Sequence, residues 1–189
     1  MRRVMKALLI VAAVAALWAP TQARAEGYVS PWAGVNFGND QAEGNWAFGA
    51  NAGYMGAGII GGEVDFGFAP DFFGESVDNH VMNVMGNLII GIPVGGTRGP
   101  GIRPYVTGGL GLIRTRIDSG VSGIDAFTTN DFGFNLGVGA MGFFNDHFGL
   151  RGDVRYFRTL NEDTGGSELI DVDLGSFDFW RASVGIVIR

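Results

Sequence analysis

The chain has 189 residues, a formal net charge of −6 at pH 7 and no cysteine. A chain of this length holds one ordinary domain, and the lack of cysteine excludes both a disulfide framework and a cysteine-borne lipid anchor. Its 33 glycines are far above average usage, but they lack the three-residue period of collagen.

The chain begins with the pattern of a secretory signal peptide. Arg2, Arg3 and Lys6 precede the apolar run ALLIVAAVAALWA, and the small residues Ala23 and Ala25 predict cleavage after Ala25. The alternative is a single transmembrane anchor, but the run is shorter than the ~20 residues that a spanning helix needs. We therefore predict a signal peptide over residues 1–25 and one exported domain over residues 26–189.

The predicted exported domain is strongly acidic. It keeps nine arginines, no lysine and all 19 acidic residues, which gives a net charge of −10. A surface of this sign repels the phosphate backbone of nucleic acids. We therefore expect no nucleic-acid partner.

Eight segments of this domain alternate between apolar and polar residues, as half-buried strands do. In the last one, Trp180, Val184 and Ile186 share one face, and Arg181 and Ser183 share the other. The eight predicted strands cover residues 28–37, 46–55, 59–68, 79–92, 102–116, 131–144, 147–158 and 178–188.

The connections between these segments alternate in length. Those after the second, fourth and sixth are short or glycine-rich, with the sequences GAG, GGTRGPG and ND. The other four are mostly longer and acidic: GNDQAEGN, APDFFGESVD, IDSGVSGIDAFTTN and LNEDTGGSELIDVDLGSF. Short turns on one side and long loops on the other are typical of transmembrane barrels. We therefore predict an all-β fold, an eight-stranded antiparallel transmembrane up-and-down β-barrel with its four acidic loops outside the cell.

A water-soluble barrel or sandwich is the alternative, and two observations favour the membrane. Aromatic residues lie near the predicted strand ends, where they would form two interfacial girdles: Phe37, Trp46, Phe66, Phe68, Phe132 and Trp180 on the outer side, and Tyr54, Phe144 and Phe148 on the periplasmic side. The polar faces carry three acidic and three basic residues: Glu63, Asp65, Arg151, Asp153, Arg155 and Arg181.

An eight-stranded barrel is filled by its own side chains, and an unpaired ion buried there costs several kcal/mol. We therefore predict that these six residues form an ion-pair network that closes the lumen. An accidental balance of charge is the alternative.

The chain resembles the small bacterial outer-membrane β-barrel family typified by the OmpA transmembrane domain and OmpX. The resemblance lies in YVSPWAGVNFG, GYMGAGIIGGEVDFGFAPDFF, RPYVTGGLGLIRT, FNLGVGAMGFFNDHFGLRGDVRYFR and DFWRASVGIVIR. It implies a monomer in the outer membrane that contacts lipid, lipopolysaccharide and the barrel-assembly machinery, and it says little about activity. Family members usually end in an aromatic residue that this machinery reads, whereas this chain ends at Arg189.

Few residues offer chemistry. His147 lies in a predicted periplasmic turn away from any serine, and His80 lies near Asp78 and Ser76 but points towards lipid. Residues 137–142 spell the GxGxxG of a dinucleotide site, but a strand rather than a helix continues after them, so we attribute these glycines to a crowded lumen. We find no HExxH or GxSxG motif and predict no catalytic residue and no cofactor.

Two surface groups are candidates for binding. The fourth loop could chelate calcium through Glu162, Asp163, Asp171 and Asp173, but a solvated acidic loop is favoured, and we predict no metal site. Arginine is tolerated on the lipid face near the interface, where it pairs bidentately with phosphate. The candidates for a lipopolysaccharide contact, with solvated rim arginines as the alternative, are Arg114, Arg116 and Arg158.

These observations favour a non-enzymatic envelope protein that is structural or interacts with a surface ligand through its acidic extracellular loops. A narrow outer-membrane channel is the second hypothesis, and it requires a wet path past the charged cluster. A lipid A-modifying enzyme is the third.

Overall fold

The structure, a computed structural model, describes residues 25–38, 45–72, 79–117, 127–160 and 178–189. Within these ranges no helix is long and apolar enough to cross a membrane. The described residues form eight strands: β1 (Ala25–Phe37), β2 (Asn45–Gly56), β3 (Ile60–Pro70), β4 (Asn79–Gly91), β5 (Gly101–Ile117), β6 (Phe127–Phe143), β7 (Phe148–Thr159) and β8 (Asp178–Ile188).

The eight strands close into one barrel in which each strand pairs antiparallel with its neighbours in sequence, and β8 pairs with β1. This confirms the predicted fold. The three short connections after β2, β4 and β6 lie at one end, which we call the turn end, and the other four lie at the opposite end, the loop end. The predicted long loops, and the predicted signal peptide apart from Ala25, lie mostly outside the described residues.

The pairing register makes the barrel a rising spiral. A line of paired residues that starts at Gly27 in β1 returns to β1 at Phe37, ten residues closer to the loop end. It passes through Tyr54, Gly62, Leu88, Gly108, Leu136, Tyr156 and Trp180. A shift of this size over eight strands corresponds to a strand tilt of about 40°.

The predicted strand bounds differ from the structure chiefly in β6. The sequence places its start at residue 131, because FTTN is polar enough to be assigned to a loop, but the strand begins at Phe127. Thr128 pairs with Arg116 and Thr129 with Thr115 on β5. The β5–β6 hairpin of two 17-residue strands therefore extends beyond its neighbours, which have 11 to 13 residues.

The outer wall of the barrel is apolar. Alternate residues of each strand are exposed there, among them Val64, Leu88, Val138 and Val184. The predicted girdle residues all lie on this face, with Trp46 the most exposed at 71%. Exposed apolar side chains in this number suit contact with lipid rather than water.

The interior contains two apolar layers with a polar layer between them. The apolar layer near the loop end includes Trp32, Phe72, Phe157 and Phe179, of which Phe157 and Phe179 stack with ring centroids 4.9 Å apart. The layer near the turn end consists of Tyr28, Met55, Ile89, Tyr105, Met141, Phe143 and Val187. Both ends of the lumen are thus packed with side chains.

Two glycines of the GxGxxG stretch face this packed interior. A Cβ added at Gly137 would lie 2.7 Å from Cγ of Arg155, and one at Gly139 would lie 2.6 Å from the Tyr105 hydroxyl oxygen. The stretch lies wholly within β6, which ends at Phe143. The glycines therefore make room for lumen side chains and do not open a helix.

Candidate functional site

The polar layer of the lumen brings together the six charged residues that the sequence pattern placed on the inward faces. Glu63 and Asp65 extend from β3, three residues come from β7 and Arg181 comes from β8. All six are buried, and the Arg155 side chain is 0% exposed. The residues of β3 lie on the wall opposite β7 and β8. The six side chains still meet, because alternate residues of every strand point at the barrel axis.

Each carboxylate in this layer is paired with arginine. The Glu63 Oε2 atom lies 2.5 Å from Nη1 of Arg151, and its Oε1 atom lies 2.8 Å from Nη2 of Arg155. Nη2 of Arg181 donates to both oxygens of Asp65 at 2.8 Å. Asp153 accepts from Nε of Arg151 at 2.9 Å and from Nε of Arg155 at 3.2 Å. The three arginines and three carboxylates therefore form one connected network.

Neutral side chains complete the network, and the sequence reasoning missed them. The Tyr28 hydroxyl donates to Glu63 at 2.6 Å, and the Tyr105 hydroxyl donates to Asp153 at 2.7 Å. The amide nitrogen of Asn51 donates to Asp65 at 2.7 Å. All three have the parity of the inward face, so parity applied to tyrosine and asparagine, as well as to charged residues, would have found them.

A second cation group lies at the turn end of the lumen and was also missed. Arg103 of β5 is buried and pairs with Glu26 at 3.1 Å. Arg189 pairs with the same carboxylate at 3.3 Å, and its guanidinium lies 3.8 Å from the centroid of the Phe143 ring. Arg103 alternates with Tyr105 on the inward face, a signal that the sequence contains, whereas Glu26 precedes the predicted start of the first strand.

Arg189 also joins the short turns of the barrel. Its Nε donates to the carbonyl oxygen of Asp146 at 2.8 Å, and its Nη1 donates to that of Thr97 at 3.1 Å. The two turns are joined directly as well, because the Gly99 amide donates to Oδ1 of Asp146 at 2.6 Å. The turns after β4 and β6 are thus joined by the Arg189 guanidinium and by the Asp146 carboxylate.

The structure does not bring the three candidate arginines of the outer face together. Arg114 and Arg116 lie two residues apart on β5, and Arg158 lies on β7. Arg114 faces Asn130 of β6, whereas Arg158 faces Phe134, four residues further along. The backbones of Arg114 and Arg158 are therefore about 16 Å apart, since strands are ~4.8 Å apart and residues rise ~3.3 Å.

The two histidines lie at opposite ends of the barrel. His80 faces Arg116 across β4 and β5, and its ring packs 5.5 Å from that of Phe68. Its sequence neighbours Ser76 and Asp78 lie outside the described residues. His147 lies in the turn after β6, where its amide donates to Oδ1 of Asn145 at 2.8 Å.

The parts of the chain that the structure describes contain no group of three or more acidic or histidine residues placed to hold a metal ion. The candidate calcium ligands Glu162, Asp163, Asp171 and Asp173 lie outside those parts. The prediction that the fourth loop is a solvated acidic loop without a metal site therefore stays a prediction from sequence.

Residues 7–186 match the family model described as "Outer membrane protein beta-barrel domain". Among curated proteins, none matches this sequence. The family match spans nearly the whole chain.

Solved structures with this fold include three bacterial proteins. Neisserial surface protein A has a TM-score of 0.65 at 17% identity, with 88% of this chain and 99% of that chain covered. The N-terminal β-barrel domain of Pseudomonas aeruginosa OprF has a TM-score of 0.54 at 14% identity, covering 87% and 98%. Ail, the attachment invasion locus protein of Yersinia pestis, in complex with the heparin analogue sucrose octasulfate, has a TM-score of 0.54 at 15% identity, covering 87% and 99%. At these identities the likeness shows the fold alone.

Proposed function

The chain belongs to the outer membrane protein beta-barrel domain family and lies in the outer membrane, and from this membership we propose that it is a non-enzymatic surface-interaction protein that works through its extracellular loops. The observation that carries the proposal is the filled lumen. Six paired charges and two apolar layers occupy the space through which a solute would pass. A barrel of this kind is a rigid support, which leaves the loops to make contacts.

The charge of the loops indicates the kind of ligand. The four segments outside the described residues, 39–44, 73–78, 118–126 and 161–177, contain 11 acidic residues and neither arginine nor lysine. Ail, by contrast, has been solved with an anionic heparin analogue. Like charges repel, so we propose that the ligand of this chain is a cationic peptide or a basic protein surface rather than a sulfated sugar.

Neutralising the fourth loop tests this proposal. The variant carries Glu162→Gln, Asp163→Asn, Asp171→Asn and Asp173→Asn, and intact cells that display it are titrated with a fluorescent oligolysine peptide. We expect weaker binding and a smaller salt dependence, because four of the 11 loop charges are removed. The control is Asp146→Asn, which removes one negative charge from a short turn and keeps the Oδ1 acceptor of the Gly99 amide. Binding that is unchanged in the loop variant, or weakened as much in the control, would contradict the proposal.

The channel and enzyme hypotheses are separated from this proposal by two measurements. Planar-bilayer recordings of the purified protein are expected to show no conductance steps, since the ion pairs and the aromatic layer fill the lumen. Mass spectra of lipid A from cells with and without the protein are expected to be the same. Discrete steps would favour the channel, and a mass change would favour the enzyme.

We also propose that Arg114, Arg116 and Arg158 contact the phosphates of lipopolysaccharide. The three lie on the outward face near the loop end, where arginine is tolerated beside lipid headgroups. Replacing all three with glutamine is expected to lower the unfolding midpoint in lipopolysaccharide-containing vesicles but not in neutral detergent. Equal shifts in both media would contradict the contact.

A further inference from the structure

A shallow apolar groove crosses the outer wall of the barrel from β4 to β8. It has a volume of about 620 Å³, within the range of sites that hold a small ligand. Two rows of paired outward residues border it. The row nearer the loop end includes Leu88, Leu136 and Trp180, and the row nearer the turn end includes Ile90, Val106 and Val138.

The dimensions of the groove suit one acyl chain. It spans the four interstrand steps between β4 and β8, which is about 19 Å. One leaflet of a hydrocarbon core ~30 Å thick is about 15 Å deep. Because the pairing line rises towards the loop end from β1 to β8, the groove is inclined, and its end at Trp180 lies closest to the outer girdle.

The wall beside the groove is kept hollow by glycine that the barrel does not require. A depression of about 510 Å³ shares Val138 and Val154 with the groove, and a second one of about 470 Å³ continues from the first; both are lined by Gly152. A Cβ at Gly152 would meet nothing closer than the Ser183 carbonyl oxygen at 3.9 Å. By contrast, a Cβ at the inward Gly139 would lie 2.6 Å from the Tyr105 hydroxyl. The packing of the barrel therefore does not require glycine at this position, and the depression it leaves is open to a molecule that packs against the outer wall.

The charge at the upper end of the groove indicates an anionic headgroup. Arg158 follows Tyr156 on the outward face of β7, one row closer to the loop end, and it is exposed. Asp178 lies opposite Arg158 on β8 and accepts from the Tyr156 hydroxyl at 3.2 Å. A guanidinium has five N–H donors, more than one carboxylate uses, and it pairs bidentately with phosphate. Among the described residues, the outward strand faces near the loop end carry three arginines, Arg114, Arg116 and Arg158, and one acidic residue, Asp178.

We propose that this groove is a resident lipid site, in which one acyl chain of a phosphorylated outer-leaflet glycolipid of the lipopolysaccharide class lies between the two rows and its phosphate binds Arg158. The proposal rests on the lipopolysaccharide contact proposed above and adds the position of one lipid acyl chain on the outer wall. Phosphatidylglycerol also has a phosphate and acyl chains. The charged end of the groove, at Arg158, lies on the outer-leaflet side, so we assign the groove to the glycolipid of that leaflet.

Native mass spectrometry of the purified protein in detergent tests the site, with diphosphorylated lipid A and phosphatidylglycerol as the added probes. We expect one lipid A to be retained. Val138→Trp fills the groove and is expected to lower retention about tenfold, the change that ~1.4 kcal/mol gives. Val64→Trp is the matched control, because Val64 is equally outward but on β3, away from the groove. Its retention is expected to equal that of the wild type.

Arg158→Gln tests the headgroup contact, with Arg98→Gln in the turn before β5 as its control. Lower lipid A retention in Arg158→Gln alone supports the site. If only Val138→Trp has an effect, a chain binds without the phosphate contact and the proposed lipopolysaccharide contact fails. If only Arg158→Gln has an effect, the contact stands and the groove is excluded. Equal retention of phosphatidylglycerol, or equal loss in Val64→Trp, overturns the proposal.

Discussion

Arg155 is the residue on which the lumen network depends most. Its guanidinium reaches all three carboxylates, with Nη2 2.8 Å from Glu63, Nε 3.2 Å from Asp153 and Nη1 3.7 Å from Asp65. It has no exposed side-chain surface. Arg151 pairs with Glu63 and Asp153, and Arg181 pairs with Asp65. Arg155 is therefore the arginine of the network that lies close to all three carboxylates.

Replacing this cation should be costly. We expect Arg155→Met to lower the free energy of unfolding by about 3–5 kcal/mol, because it leaves three buried carboxylates with two arginines. The measurement is a urea titration in detergent micelles followed by circular dichroism. Arg98→Met in an exposed turn is the control and should change little.

The double variant Arg155→Met with Asp153→Asn restores the charge balance. It should recover a large part of the lost stability, because the uncompensated charge rather than the missing contact carries most of the cost. A double variant less stable than Arg155→Met alone would show that the network acts mainly through hydrogen bonds.

The alternation of inward and outward positions was enough to predict that the six charged residues share the lumen, but it could not predict which of them pair. Arg151 and Glu63 are 88 positions apart in sequence, and their contact depends on how far each side chain reaches across the barrel. The pair of Arg103 with Glu26 was missed for a different reason. Glu26 lies before the first predicted alternating segment, which starts at residue 28. Its place in β1 depends on its pairing with Met55 of β2, which the local pattern does not contain.

At the scale of the element, β6 illustrates both the reach and the limit of a periodic pattern. The alternation of Phe132, Phe134 and Leu136 against Asn135 predicts the strand and its faces, and the structure has both. The first four residues of the strand have no apolar alternation. They are ordered by the ladder with β5, a tertiary contact that no local pattern contains.

The GxGxxG stretch of β6 gives a matched pair of substitutions. Gly139→Val should prevent folding or destabilise the barrel severely, because a Cβ there lies 2.6 Å from the Tyr105 hydroxyl and from the Gly152 carbonyl oxygen. Gly142→Val should be tolerated, since a Cβ there meets nothing within 4 Å. Folded yield in detergent, measured as heat-modifiable migration on gels, checks both. A dinucleotide-binding turn would tolerate neither, so a neutral Gly142→Val supports the barrel reading.

The turns at the turn end should also depend on one residue. Arg189→Ala removes the donors to the carbonyl oxygens of Asp146 and Thr97, and a hydrogen bond of a charged group contributes ~1.5–3 kcal/mol net of water, less where it is exposed. We expect the unfolding free energy to fall by about 2 kcal/mol and these turns to become sites of proteolysis. Arg189→Lys should recover little, because an ammonium lacks the planar fork. His147→Ala in the same region is the control.

At the scale of the whole molecule, the described residues form an outer-membrane β-barrel whose lumen is filled by side chains and whose two ends differ. One end is tied by short turns and Arg189, and the other carries four acidic segments. The sequence alone predicts this division from the lengths of its connections. It could not predict the groove on the outer wall, because that shape depends on which outward residues of five strands become neighbours through the register.

The lack of cysteine makes the orientation directly measurable. Ser167→Cys lies in the fourth loop and should react with a membrane-impermeant maleimide on intact cells, because that loop is expected outside. Arg98→Cys lies in the turn before β5 and should react only after the outer membrane is permeabilised. The wild-type chain, which has no thiol, is the blank. Labelling of Arg98→Cys on intact cells would contradict the proposed orientation and place the short turns outside the cell.

The ten-residue rise of the pairing line has a genetic consequence. Ten is even, so a residue that faces the lumen meets another lumen-facing residue when the circuit closes between β8 and β1. Loss of a single codon within any strand would make the rise odd and turn one set of side chains to the wrong face. Insertions or deletions inside a strand are therefore expected to persist in descendants of this gene only as pairs of residues, whereas strand ends and the acidic segments at the loop end can gain or lose codons one at a time.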